Sequence, residues 1–73
     1  MKVTIYDYYP GQLTKDDFYN VIEWNKVDDI NVVMTIDGVK TVEKSADGLL
    51  LWVTPHEYEF FDKNDFSKME IHM

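Results

Sequence analysis

Cysteine and arginine are both missing from this chain of 73 residues, proline occurs twice, glycine three times, and no apolar run approaches the ~18 residues that a membrane span needs. Without cysteine there is neither a disulfide framework nor a thiolate zinc site, so stability must come from packing or from a partner subunit. Without arginine, bidentate recognition of phosphate or guanine loses its usual donor. All seven cations are lysines, set against fourteen Asp and Glu, and the formal net charge is −7. Such a surface repels polyanions, which disfavours direct nucleic-acid binding and adsorption to anionic lipid, while a basic protein surface is attracted. Acidity of this size also serves solubility alone. Residues Met1 to Tyr9 alternate with polar groups and form no secretory h-region, so the expected location is the cytoplasm.

What the chain does have is aromatic area: two Trp, five Tyr and four Phe. One domain over residues 1–73 is expected, because a chain this short buries only about 60% of its unfolded surface and has no material for a second core. The aromatic side chains supply the apolar area that the small size withholds.

Turn signals recur at Asp37-Gly38, Asp47-Gly48 and Thr54-Pro55, threaded through β-branched, apolar segments from Ile30 to Phe61. This pattern predicts a mainly β fold, a small antiparallel meander of about six strands forming a curled sheet or small barrel, with one or two short helical turns. Lys2 to Tyr8 reads as a strand with Val3, Ile5 and Asp7 on one face and Thr4, Tyr6 and Tyr8 on the other. Thr14 followed by Asp16-Asp17 predicts a short helical turn near 14–19, then a strand from about 20 to 27. The alternative is a full helix over about 14–25, which would make the fold α+β. Two-residue type I′ turns at Asp37-Gly38 and Asp47-Gly48 would place Val33, Val42 and Val53 in one cross-strand row, with Trp52 in the core opposite Glu43 or near Met34. Beyond Phe61, Asp62-Lys63-Asn64-Asp65 reads as a polar turn, Phe66 as a single helical turn, and Met69 to Met73 as a last strand.

Candidate chemistry is thin. His56 and His72 are the only histidines, and Glu57 beside His56 points across the strand from it, so both read as surface histidines. Asp62 and Asn64 imitate the start of a calcium loop, but Phe66 and Ser67 stand at its fifth and sixth positions, where a ligand and glycine are required. Asp16-Asp17 and Asp28-Asp29 are helix-start and turn residues. Gly11, Gly38 and Gly48 are all assigned to turns, leaving none for a phosphate-cradling loop, and no nucleophile sits beside a matched base. The expectation is a non-enzymatic protein without cofactor or metal. Two segments are candidate interfaces. One is the stripe Tyr6, Tyr8 and Tyr9, unless Leu13 and Phe18 cover it. The other is the acidic-aromatic segment Glu57, Tyr58, Glu59, Phe60, Phe61, Asp62, either an exposed edge, with Glu57, Glu59 and Phe61 as its candidate contacts, or an ordinary strand whose carboxylates deter edge pairing. The leading functional reading is a small acidic interaction module, inhibitory or accessory in role, for a protein partner with a basic surface. A structural homo-oligomer, such as a homodimer through the tyrosine face or a strand edge, comes next. A small-ligand-binding protein or enzyme is third.

Overall fold

The computed structural model describes all residues, 1–73. Seven antiparallel strands and one 3-10 turn succeed one another: β1 (Lys2–Tyr8), the 3-10 turn (Lys15–Asp17), β2 (Val21–Lys26), β3 (Val32–Ile36), β4 (Thr41–Lys44), β5 (Gly48–Thr54), β6 (Glu57–Asp62) and β7 (Lys68–His72). They form two sheets, one of four strands in the order β2-β3-β1-β7 and one of three in the order β4-β5-β6. The mainly β, antiparallel fold is the one that the turn spacing predicts, but the strands number seven, are divided between two sheets, and close no barrel. The full helix over 14–25 is not formed. Asp17 accepts the Thr14 backbone N–H at 2.7 Å and stabilises only a single turn, after which Val21, Ile22 and Trp24 run as strand.

A bulge sets the fate of the tyrosines. Ile5 pairs with Met34 and Tyr8 with Val32, so β1 carries one residue more than β3 over that interval, and Asp7 takes up the difference at φ 52°. The extra residue changes the parity. Tyr8 turns to the same face as Val3 and Ile5, Tyr6 stays outside, and strict alternation from Lys2 fails at this point.

The two sheets pack face to face on Val3, Ile5, Tyr8, Val32, Met34 and Ile36 from one and Leu49, Leu51 and Phe61 from the other, joined by Val39 in the crossover. Phe18, just after the 3-10 turn, fills the end of this core: its ring stacks on Phe61 at 5.7 Å and meets Tyr8 edge-on at 5.8 Å. Phe61 and Tyr8 lie 5.2 Å apart, also edge to face. Aromatic rings in these geometries add to what their buried area contributes.

Asp37-Gly38 does not make the predicted hairpin. Both edges of β3 are occupied, by β1 and β2, so Ile36 pairs with Val3 and Val21 rather than Val39. The Asp37 N–H instead goes to the Asn20 carbonyl at 3.1 Å and the Val39 N–H to that of Met1 at 3.0 Å, and the chain crosses to the other sheet. A hairpin does join β4 and β5, but its tip is Ala46-Asp47: Ser45 donates to the Gly48 carbonyl, and Val42 faces Leu51 where Val53 was expected. No Val33-Val42-Val53 row exists. The Asp62 turn is as predicted, with its carboxylate accepting the Asn64 N–H at 2.9 Å, whereas Phe66 adopts no helical turn.

Candidate functional site

The outer face of the three-stranded sheet follows from its register. Thr41, Trp52 and Tyr58 lie side by side across the strands, as do Glu43, Leu50 and Phe60, while Val42, Leu51 and Glu59, and Lys44, Leu49 and Phe61, occupy the opposite face. The core is therefore closed by Leu49, Leu51 and Phe61, and the second set of large side chains has no cover. Tyr58 is 50% exposed and Phe60 44%. Trp52, expected in the core, is half-buried on this outer face. Its ring rests on Tyr58 at 4.9 Å and its indole N–H donates to Glu43 at 3.2 Å. Beside it Lys40, Thr41, Thr54 and Pro55 border a shallow depression of about 520 Å³. Rigid aromatic side chains with a polar handle, held on strands and flanked by carboxylates, form the kind of surface that anchors protein partners.

Of the candidate interface residues, Tyr8 and Phe61 are only 6% and 1% exposed and take part in the core. Tyr9 is exposed. Tyr6 is half-buried, donates to Glu70 at 3.3 Å and carries the Lys68 ammonium 4.5 Å above its ring. Glu57 is exposed, and Glu59 sits at the rim between the sheets, where it accepts the Tyr19 N–H at 3.1 Å. Trp52 is the residue that sequence reasoning places in the core, and within the acidic-aromatic segment the exposed contacts are Tyr58 and Phe60, on the side of the strand opposite Glu59 and Phe61.

Burial pushes the Glu59 carboxyl above its ordinary value, and the Tyr19 N–H opposes that rise. A raised folded-state value means that the protonated form is favoured in the fold. The corresponding stability is present below the unfolded-chain value and is lost as pH rises through the folded one. Glu59→Gln, which keeps an acceptor for Tyr19, should therefore raise the melting temperature at neutral pH and give no gain well below the carboxylate range. Glu57→Gln removes the same charge from an exposed position on the same strand and should do less at either pH. Thermal melts of both variants across pH check this.

A second cluster crosses the outer face of the four-stranded sheet. Thr35 donates to Glu23 at 3.1 Å, so its 2.8 Å contact with Thr4 must be a bond that Thr4 donates, and the 3.0 Å contact between Thr4 and His72 Nε2 must then be donated by the imidazole. The same Nε2 lies 3.3 Å from Glu70. Bond direction thus assigns the proton to Nε2. Thr4 is buried and its only proton is committed to Thr35, so this arrangement is a cross-strand ladder that satisfies two buried hydroxyls and not a nucleophile beside a base. A third feature is a cleft of about 380 Å³ between Tyr9–Thr14 and the loop that joins β2 to β3. The Asp28 carboxylate there is held below its ordinary value by the Ile30 N–H and by the Asn31 side chain and N–H, all within its own loop. No group of three or more His, Cys, Asp or Glu is placed to hold a metal ion, and no helix is long and apolar enough to cross a membrane. No protein-family model matches the sequence, and neither the curated proteins nor the solved structures give a match.

Proposed function

We propose that this chain is a non-enzymatic protein-interaction module of the cytoplasm that binds a basic protein partner through the outer face of its three-stranded sheet. The observation that carries the reading is the position of Trp52, Tyr58 and Phe60 outside a core that is already closed. Excess carboxylate, at −7 overall with Glu43 beside Trp52 at this face, favours a cationic partner and steers its approach. The face outranks the cleft because strands hold all its anchors, whereas the cleft is lined mostly by two loops and its Asp28 is spent on backbone N–H groups of its own loop.

An array of peptides graded from positive to negative net charge tests this. Binding should be confined to the positive peptides and weaken steeply above ~0.15 M salt, where the screening length is about 8 Å. Trp52→Ser should weaken it by about 30-fold, which corresponds to a hot-spot loss of about 2 kcal/mol, and Tyr9→Ser should leave it unchanged. Charge-independent binding, or indifference to Trp52→Ser, would refute the proposal. A homodimer through the same face would have to bring together two chains of −7, so sedimentation equilibrium is expected to give the monomer mass of 8.7 kDa.

A further inference from the structure

A sandwich of two open sheets has four edges, here β2, β4, β6 and β7. Unpaired strand edges invite another strand, and a lysine on the edge is a common protection. Lys26, Lys44 and Lys68 lie in β2, β4 and β7, whereas β6, Glu57-Tyr58-Glu59-Phe60-Phe61-Asp62, has none. Its only hydrogen-bonded strand neighbour is β5.

The backbone of β6 can be sorted by direction. Lys63 donates to the Asp47 carbonyl at 2.9 Å, in the same register as the pairs Leu49 with Phe61 and Leu51 with Glu59. In an antiparallel ladder hydrogen-bonded pairs alternate with non-bonded ones, so Phe61 and Glu59 point their N–H and C=O groups toward β5 and Tyr58 and Phe60 point theirs away. Asp62 also points away, but its carbonyl is taken by the Asp65 N–H at 3.0 Å. Neither Tyr58 nor Phe60 makes a main-chain bond in a turn, loop or cap. The edge therefore offers two donors and two acceptors in the spacing of a strand, below the aromatic side chains of the same two residues.

We infer that β6 binds its partner by strand addition, taking up an extended, lysine- or arginine-bearing segment as a fourth strand of the β4-β5-β6 sheet. This rests on the binding face proposed above and specifies how it is engaged. The occupant's chemistry follows from charge: Glu57, Glu59 and Asp62 flank the free edge with no cation in the strand. A second copy of the chain is the poorer occupant, because symmetric pairing of β6 with itself about Glu59 sets two carboxylates opposite each other, and pairing about Phe60 still joins two acidic strands. An added strand with its cations on the Glu57-Glu59 side meets those carboxylates with opposite charge, donates to and accepts from Tyr58 and Phe60, and with its apolar residues extends the Trp52-Tyr58-Phe60 surface.

The probe is an alternating Lys-Val peptide, with alternating Glu-Val and Lys-Gly peptides as controls for charge and for strand preference. The chain is short enough to synthesise with N-methyl-Phe60, which keeps the phenyl ring, leaves the β5 ladder intact and removes one outward N–H. The expected result is binding of the Lys-Val peptide only, about tenfold or more weaker to the N-methylated chain. In the unmodified protein the peptide should slow hydrogen exchange at the Tyr58 and Phe60 amides, a readout that stands even if the N-methylated chain folds poorly. Equal binding of Lys-Val and Lys-Gly peptides, or unchanged exchange at both amides, overturns strand addition and leaves the face intact provided Trp52→Ser still weakens binding. Binding indifferent to Trp52→Ser overturns the face, and binding to no basic peptide overturns both. Slow exchange at Tyr58 and Phe60 without peptide, rising with protein concentration, would make the occupant a second copy and overturn the inference.

Discussion

Phe61→Ala should remove about half of this protein's stability, whereas Trp52→Ala should melt only modestly below the parent. Phe61 is 1% exposed and touches Tyr8 and Phe18, so truncation opens a cavity between the sheets. Removing a buried Phe costs about 3–5 kcal/mol. At 0.05–0.15 kcal/mol per residue, a chain of this length has a total stability of about 4–11 kcal/mol. Trp52 is half-buried on the outer face and loses mainly its contact with Tyr58 and its partial burial, about 1–2 kcal/mol. Urea titrations of the two variants decide the matter. If Trp52→Ala were as damaging as Phe61→Ala, the outer face would be acting as core and its availability to a partner would fall with it.

Gly48→Ala is expected to be comparably severe for a different reason. A Cβ at Gly48 would overlap the Phe61 carbonyl oxygen and lie 3.0 Å from Asp62 Cα and the Lys63 nitrogen, all backbone atoms of the neighbouring chain segment. Backbone locked in a ladder cannot withdraw as a side-chain tip can, so the strands must separate, and a cost of about 3 kcal/mol or more is expected. Gly38→Ala is the comparison. Its backbone is also in the left-handed region, at φ 76°, but its nearest neighbours are the tip of the Tyr19 ring at 3.5 Å and the Asn20 amide, so the backbone cost of about 1–2 kcal/mol stands nearly alone. Unfolding midpoints in urea should therefore order as parent, Gly38→Ala, Gly48→Ala.

These glycines show how far turn chemistry could be read. Asp37-Gly38 and Asp47-Gly48 both mark places where the chain changes direction, and the reading of turns at both is sound. Treating each as the two-residue tip of a hairpin is where the reading parts from the structure. A positive φ at glycine is a local requirement, but which strands then pair depends on which edges are free. At Asp37-Gly38 both edges of β3 are taken by β1 and β2, residues distant in sequence, and the chain has to cross. At Asp47-Gly48 the tip lies one residue earlier than the dipeptide suggests, which moves Val42 from Val53 to Leu51 without changing its face.

The candidate site was legible in composition and not in orientation. Tyr58 and Phe60 alternate with Glu57 and Glu59, and nothing in that alternation says which pair looks inward. Charge suggests that the glutamates look out. Yet Glu59 lies at the rim, tied to the Tyr19 N–H, because Phe61 of the same parity is needed between Tyr8 and Phe18. Leu49 to Val53 poses the same ambiguity, being apolar on both faces.

Local chemistry alone thus determined that the chain is mainly β, which residues turn it, and that its surface is acidic and free of arginine. Those properties depend on side-chain periodicity, on φ preferences and on net charge, all carried by neighbours in sequence. Tertiary structure decided the division into two sheets, the partners of β1 and β3, the bulge at Asp7 that buries Tyr8, and the exposure of Trp52, Tyr58 and Phe60. Each of these depends on which apolar face another part of the chain covers, and a two-faced strand shows its inner side only once that covering surface is in place.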